Sequence, residues 1–188
     1  MTRLKLQLAL MPDTPDLRAC REDIGIMEKM ITAYLDFARG DGEEAIARVN
    51  VSGLLKKYAE EARNANTNVH LSAEEDLTLL LRPIAFERCV SNIVNNARKY
   101  GSRILINLIS IDDYIEITVE DNGPGIPEDL FEEVFKPFYR IDAARNIDSG
   151  GVGLGLPIAI DIVHSHGGRI WLEKSEMGGL KVVIQLPV

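Results

Sequence analysis

The sequence predicts an α+β protein in which three helices cover one face of a mixed β-sheet. Three segments in the later part of the chain repeat their apolar residues with helical spacing, and short alternating segments between them come in adjacent pairs typical of hairpins. Paired strands that alternate with helical segments along the sequence favour one sheet with the helices packed as a layer on one of its faces. The 188 residues suit one large or two small domains, and we divide the chain into 1–45 and 46–188.

The first part predicts a partial helical hairpin. Thr14 can cap a helix that has Pro15 in its first position and that ends at Gly40, and residues 4–11 predict the tail of an earlier helix. The apolar positions of the later helix follow steps of three and four, a heptad seam: Leu17, Cys20, Ile24, Met27, Ile31, Tyr34 and Ala38. Two short helices cannot bury such a seam alone. We favour completion by a second copy of the chain over packing on the rest of the chain, and we interpret 40–50 as a linker.

The second part predicts alternating helices and strands. Ser52 can cap a helix to about residue 63, and Pro83 can open a long helix to about residue 100. The inward face of the long helix should carry Phe86, Val90, Ile93, Val94 and Ala97. Strands are expected at 69–71, 77–81, 103–110, 114–120, 170–173 and 180–186, with a third helix at 156–166.

Composition excludes several classes of function. The net charge of −8 disfavours binding to nucleic acid or to anionic membranes, because both would repel the chain. No apolar run approaches a membrane span, and three histidines without ligand spacing argue against zinc. Cys20 and Cys89 lie in helical patterns, so we expect two buried thiols in a reducing cytoplasm rather than a disulfide.

The long helix carries the first candidate for chemistry. Asn92 and Asn96 are four residues apart and share a face, and Lys99 and Tyr100 follow them. The ordinary interpretation is a solvated polar face. The functional one is a carboxamide oxygen that binds a hard cation, with Lys99 close enough to contact a phosphate.

The segment DNGPGI, from Asp121 to Ile126, follows a predicted strand. Gly123 and Gly125 flank a proline, which predicts a tight turn whatever else the segment does. A plain loop is one interpretation. The other is that Asp121 accepts a hydrogen bond from an exocyclic amine such as that of adenine.

Two further segments lie between this turn and the third helix. In FKPFYR, residues 135–140, the aromatic residues including Phe138 fit a core as well as a site, and Arg140 is a candidate phosphate contact. In GVGLGL, residues 151–156, glycines let backbone amides approach an anion where the helix dipole favours one. The polar stretch 139–150 between them is typical of a lid, whereas Gly167 and Gly168 read as a helix stop.

In this order and spacing, NIVNNARKY, DNGPG, FKPF and GVGLG resemble the N, G1, F and G2 boxes of sensor histidine kinases. These kinases belong to the ATPase superfamily that includes Hsp90, DNA gyrase B and MutL. The resemblance covers roughly 46–188. The segments TRLKLQLALM and FYRIDAARN are similar to the EnvZ-type osmosensor group in particular.

The resemblance implies roles for the candidate residues. Asn96 would bind a Mg²⁺ ion that bridges the phosphates of ATP, with Asn92 beside it, and Asp121 would bind the adenine amino group. The remaining implied cofactor contacts are Lys99 and Arg140 on phosphate, Tyr100 against the nucleotide, Gly123, Gly125 and Ile126 at the adenine pocket, Phe138 in the F box, and Gly151, Gly153, Leu154 and Gly155 at the phosphate end.

One departure from the family pattern affects the expected activity. The phosphoacceptor histidine of these kinases stands in an H-[DE]-x-R-x-P box, but the only histidines here are His70, His164 and His166, none of them in such a box. We therefore expect a truncated, cytoplasmic piece of an inner-membrane kinase that binds ATP and Mg²⁺ but does not autophosphorylate. The resemblance further implies a homodimer in the intact protein, a response regulator as partner, and membrane contact only through a region before Met1. An anti-sigma-type serine/threonine kinase of the same fold and a non-catalytic regulatory module are the alternatives.

Overall fold

The structure, a computed structural model, describes Thr14, isolated positions between 17 and 31, and the stretches 44–141 and 152–188. In the continuous stretches the elements are β1 (Ala47–Asn50), α1 (Val51–Asn64), β2 (Asn68–Ala73), β3 (Thr78–Leu81), α2 (Pro83–Tyr100), β4 (Arg103–Ile111), β5 (Tyr114–Asp121), α3 (Gly155–Ser165), β6 (Arg169–Lys174) and β7 (Leu180–Pro187). Two short 3-10 turns, Glu128–Leu130 and Glu133–Phe135, lie between β5 and α3. The α+β class is confirmed.

Five strands form one mixed sheet in the order β2-β4-β5-β7-β6. Only β2 and β4 are parallel; the other neighbouring pairs are antiparallel. Alternate residues of β4, such as Ile104 and Ile106, are fully buried and join the helices in one apolar core. The opposite face carries polar residues, with the Asn107 Nδ2 amide donating to Thr118 Oγ1 at 3.2 Å.

Helix α2 has the bounds that its sequence predicts. Pro83 occupies its first turn, Gly101 follows its last residue, and all five residues expected on the inward face are buried. Burying one large apolar side chain of this kind contributes roughly 1.5–3 kcal/mol. The apolar stripe therefore packs the helix against the sheet in one orientation. That orientation determines which side chains lie on the opposite face of the helix.

Three predictions were wrong in detail. Residues 47–50 are strand β1 rather than linker, and β1 pairs with β3 in a separate two-stranded sheet, so the strand predicted at 77–81 lies outside the main sheet. The cap of α1 is Asn50, whose Oδ1 accepts from the Gly53 N–H at 2.7 Å. Ser52 is buried instead, where it donates to Glu74 O and accepts from the Leu77 N–H.

The first part of the chain is described at only a few positions. Thr14 caps the predicted helix, since its Oγ1 accepts from the Leu17 N–H at 3.2 Å and the described positions 17–31 are helical. Along the predicted seam Leu17 and Ile24 are buried, while Met27 and Ile31 are exposed. The expectation of two buried thiols was wrong for Cys20, which is exposed, and right for Cys89. The earlier helix, Pro15, Tyr34, Ala38 and Gly40 lie outside the described residues.

Candidate functional site

Asp121 ends β5 as a buried carboxylate that is 6% exposed. Its Oδ1 accepts from the Gly123 N–H at 2.7 Å and, more weakly, from the Leu180 N–H at 3.4 Å. Burial raises the pKa of this carboxyl, and these two backbone donors oppose the shift. Within the described stretches no donor reaches Oδ2, so the side chain is fixed through one oxygen and offers the other to a ligand.

Gly179, in the turn between β6 and β7, contacts the candidate site and was missed by the sequence analysis. A Cβ added there would lie 2.3 Å from both Asp121 O and Asp121 Oδ1, and 2.6 Å from Gly123 N. Only a residue without a side chain lets this turn approach the carboxylate and bring the Leu180 N–H to it. The double glycine 178–179 was the available signal, but it predicts a hairpin turn equally well.

The turn after Asp121 packs against the end of α2. A Cβ on Gly123 would lie 2.7 Å from Tyr100 O, so this glycine permits the contact. Tyr100 is 56% exposed, and Lys99 Nζ lies 4.8 Å from the centroid of its ring. Gly125 has a φ of +69° and faces the carbonyl of Gly179, while Ile126 packs against the core.

One turn earlier, the same helix faces the start of α3. A Cβ on Gly155 would lie 3.3 Å from Asn96 Nδ2 and 3.8 Å from Asn92 Cβ. The Nδ2 atom of Asn92 is buried and finds no acceptor in the described part of the chain. An orphaned buried donor of this kind costs about 1–3 kcal/mol, which marks a place where a ligand oxygen is expected.

The glycine turn before α3 is joined to the F-box segment. The Phe138 N–H donates to Gly153 O at 2.9 Å, and Gly153, with φ +76°, lies against the backbone of Phe138 and Tyr139. Phe138 itself has φ +65° and is 46% exposed, so the core interpretation of this residue was wrong. Leu154 is buried and Arg140 half-buried, whereas Gly151 and residues 142–150 of the predicted lid lie outside the described residues.

The start of α3 offers backbone donors. Its N-cap, Leu154, has no side-chain capping bond, and Pro157 has no N–H to satisfy. The amides of Gly155 and Leu156 therefore remain at the positive end of the helix dipole, next to the two asparagines. A helix start in this state fits an anionic group.

Two clefts of the described structure lie beside this arrangement rather than inside it. One, of about 350 Å³, adjoins the turn after Asp121 and is lined by Gly125, Ile126, the flanking prolines, Lys174, Ser175 and the glycines of the β6–β7 turn. The other, of about 250 Å³, lies on the polar face of the sheet and includes none of the predicted residues. The residues that the motifs would place over the phosphate end belong to the undescribed stretch 142–151.

The described residues give no membrane-crossing helix, since none is long and apolar enough. They also contain no cluster of three or more His, Cys, Asp or Glu side chains suited to a metal. His70 and His164 are exposed. His166 is bonded on both ring nitrogens to backbone atoms.

These contacts join a buried acid, an asparagine-bearing helix and a helix start whose first amides have no partner among the described residues. Residues 82–188, more than half of the chain, match the family described as histidine kinase-, DNA gyrase B-, and HSP90-like ATPases. The chain belongs to this ATPase family. Within the family it matches sensor histidine kinases and carries their catalytic domain.

Two curated relatives and one solved structure illustrate the similarity. The sensor histidine kinase GtrS of Pseudomonas aeruginosa is 32% identical over 188 residues, which is all of this chain and 39% of the relative. The sensor histidine kinase CpxA of Escherichia coli is 32% identical over 200 residues, again all of this chain and 44% of the relative. The mycobacterial sensor histidine kinase MprB superposes with a TM-score of 0.67 at 25% identity, covering 76% of this chain and 97% of that one. The chain thus spans less than half the length of these curated relatives.

Proposed function

We propose that this chain binds ATP with Mg²⁺ and transfers the γ-phosphoryl group to a histidine of a dimerisation domain, from which it passes to the aspartate of a response regulator. The observation that carries the proposal is the double contact of α2. Its last residue lies against the Asp121 turn, and its two preceding turns carry Asn96 and Asn92, which face the start of α3. One helix thereby links an acceptor for adenine to donors for phosphate.

Each end of the site has its own chemistry. The free Oδ2 of Asp121 accepts a hydrogen bond from the adenine amino group, and Gly123, Gly125 and Ile126 shape the surrounding pocket. At the other end the Asn92 amide, the α3 amides and Lys99 meet the phosphates, where charge must be neutralised and the groups aligned. Arg140, Phe138 and the glycines 151–155 complete this end, and Tyr100 lies against the nucleotide.

The residues present fit Mg²⁺. This ion binds oxygen ligands, keeps several waters and takes substrate phosphates as ligands, so one carboxamide oxygen beside a phosphate site suits it. Asn96 would supply that oxygen, from a side chain that already faces the start of α3. When bound, the ion supplies neutralisation of phosphate charge.

The acceptor histidine, in this proposal, belongs to a dimerisation-domain segment that carries an H-[DE]-x-R-x-P box. His70, His164 and His166 lie in the catalytic domain outside any H-[DE]-x-R-x-P box, so the chain binds ATP without phosphorylating itself. We assign 1–45 to a dimerisation hairpin and 46–188 to the catalytic domain, with a homodimeric, membrane-bound kinase of the EnvZ type as the whole protein. The exposed seam residues Met27 and Ile31 support a second helical partner.

Calorimetric titration with the non-hydrolysable analogue AMPPNP, with and without Mg²⁺, tests the nucleotide site. The wild type should bind AMPPNP more tightly with Mg²⁺ than without it. Asn96→Ala should lose this gain in affinity. Asn95→Ala is the matched control, because Asn95 lies on the same helix with its side chain exposed. Equal affinity of wild type and Asn96→Ala in Mg²⁺ would contradict the proposed metal ligand, and absence of saturable wild-type binding would contradict the function.

Incubation with labelled ATP and a separate dimerisation domain from a histidine kinase relative tests the transfer. Acid-labile label on that domain's histidine supports the proposal. Acid-stable label on a serine of an added partner would favour the serine/threonine kinase instead, and binding without any transfer would favour a regulatory module.

A further inference from the structure

His166, at the C-terminal end of α3, bonds through its two ring nitrogens to the backbone of its own helix and to the N-cap residue of α2. Nε2 lies 2.9 Å from the Arg82 N–H, which can only donate, and Nδ1 lies 2.7 Å from Ile162 O, which can only accept. Both bonds form only in the neutral tautomer that carries its proton on Nδ1. The imidazole therefore connects the end of α3 to the residue that precedes α2.

Helices α2 and α3 run antiparallel, and their contacts follow in order along the pair. Arg82 meets His166 at one end, Cys89 Sγ lies 3.8 Å from Ala159 O in the middle, and Asn96 faces Gly155 at the other end. The far end is the phosphate end of the proposed site. At the opposite end of the same helix pair the Arg82 N–H donates to His166 Nε2 at 2.9 Å, and a longer bond of 3.4 Å from Arg82 Nη1 to Ser165 Oγ lies beside it.

We propose that His166 is a positioning residue that holds α3 against α2 and thereby sets the distance between Asn96 and the amides at the start of α3. The inference rests on the proposed function, because that function gives the distance its purpose. The 11 residues of α3 are about 16 Å long, so a tilt of about 5° at the His166 end moves the Gly155 end by about 1.4 Å. Binding sites tolerate displacements of about 0.5 Å, so a tilt of this size matters.

Two conservative substitutions separate the inter-helix bond from the local one. In His166→Gln the Oε1 atom can replace Nε2 and accept from the Arg82 N–H, but the bond to Ile162 O is lost. In His166→Asn the Nδ2 group can replace Nδ1 and donate to Ile162 O, but the side chain is too short to reach Arg82. His164→Gln is the control, since His164 lies on the same helix with an exposed side chain.

The test uses the full chain well below its unfolding temperature and compares AMPPNP in Mg²⁺ with adenosine, both titrated by NMR. We expect His166→Asn to lower the affinity for AMPPNP about fivefold, which is the effect of one hydrogen bond. His166→Gln should lower that affinity less than twofold. The affinity for adenosine should change less than twofold in both variants, because adenosine lacks the phosphates. A second readout needs no nucleotide: exchange of the Ile158 amide, bonded to Leu154 O at the far end of α3, should be faster in His166→Asn than in His166→Gln.

The outcomes distinguish the inference from the function on which it rests. If the wild type binds AMPPNP and His166→Asn binds equally well, the positioning role is overturned while the proposed function stands. Equal losses for AMPPNP and adenosine would also overturn it, because they indicate general destabilisation. If the wild type does not bind AMPPNP, the proposed function fails, and unchanged Ile158 exchange in His166→Asn would overturn the helix contact independently.

Discussion

The environment of Asp121 lowers the stability of the folded chain but leaves one carboxylate oxygen available to a ligand. A carboxylate that is 6% exposed and bonded through one oxygen is less well solvated than in the unfolded chain, and burial raises its pKa above the ordinary 3.8. Such a group costs stability at neutral pH. Its presence is consistent with a site in which stability is given up for recognition.

Asp121→Asn should leave the chain at least as stable as the wild type at pH 7 while weakening AMPPNP binding by about tenfold or more, the effect of one charge-assisted hydrogen bond. Asparagine keeps the acceptor for the Gly123 and Leu180 amides but removes the buried charge. Because the native pKa is raised, the folded wild type binds more protons between pH 3.8 and that pKa, so its stability falls as pH rises through this window.

Urea unfolding of both proteins from pH 4 to pH 7 measures this difference. The advantage of Asp121→Asn should shrink as the pH is lowered through the raised native pKa toward 3.8, because the folded wild type takes up a proton on this carboxyl before the unfolded chain does. Asp129→Asn, at an exposed position, should show no such trend. A wild type that gains stability over the variant as the pH rises would contradict the raised pKa.

At the scale of elements, two neighbouring polar residues at the start of α1 have different roles: one caps the helix and the other bonds the connection between β2 and β3. Asn50 caps the helix through the Gly53 N–H at an exposed position. Ser52, which is 1% exposed, bonds two backbone groups of the connection between β2 and β3, donating to Glu74 O at 2.6 Å and accepting from the Leu77 N–H at 3.0 Å. One bond is local, and the other two join segments distant in the sequence.

Ser52→Ala should therefore destabilise the chain more than Asn50→Ala. Loss of an N-cap costs about 1 kcal/mol, whereas the two partly buried backbone groups that Ser52 leaves without partners cost up to about 1–3 kcal/mol each. Denaturant unfolding at fixed pH measures both losses. A larger loss for Asn50→Ala would show that the serine is not what fixes the connection.

The elements that the sequence predicted well are those with a local pattern. Helix α2 has a proline start, a complete apolar stripe and a glycine stop, so its bounds follow from residues within it. Strand β1 has no such pattern, because Ala47 to Asn50 are mostly exposed and are strand only through pairing with β3. Ser52 and Asn50 are equally good caps by type, and the choice between them is made by Glu74 and Leu77.

The same limit applies to the site. Asn96, Asp121 and the glycine turn could be predicted as candidates because their motifs are short and ordered along the chain. Gly179 and His166 act through residues 58 and 84 positions away, since the Asp121 and Arg82 contacts cross the fold. No periodicity or spacing within a segment encodes such a contact.

At the scale of the whole molecule, Glu44 joins the segment before β1 to the catalytic fold. Its Oε1 and Oε2 accept from the Ile84 and Ala85 N–H groups at 2.6 and 3.0 Å, the donors that a capping side chain normally binds. Arg82, the N-cap of α2, makes no capping bond with its own side chain. A carboxylate from 40 residues earlier therefore caps the helix that carries Asn92 and Asn96.

This contact predicts where the catalytic unit begins. A chain of residues 44–188 should unfold at a higher temperature than one of 46–188, because the longer chain keeps the Glu44 cap. A charged cap at a helix start contributes about 1 kcal/mol, which corresponds to about 3 °C for a domain of this size. Calorimetry measures the difference in unfolding temperature between the two chains. Glu44→Gln in the longer chain should remove most of this difference. Glu60→Gln, an exposed glutamate on α1, is the control and should change nothing. Equal unfolding temperatures for the two chains would mean that the boundary at residue 45 already contains everything that stabilises α2.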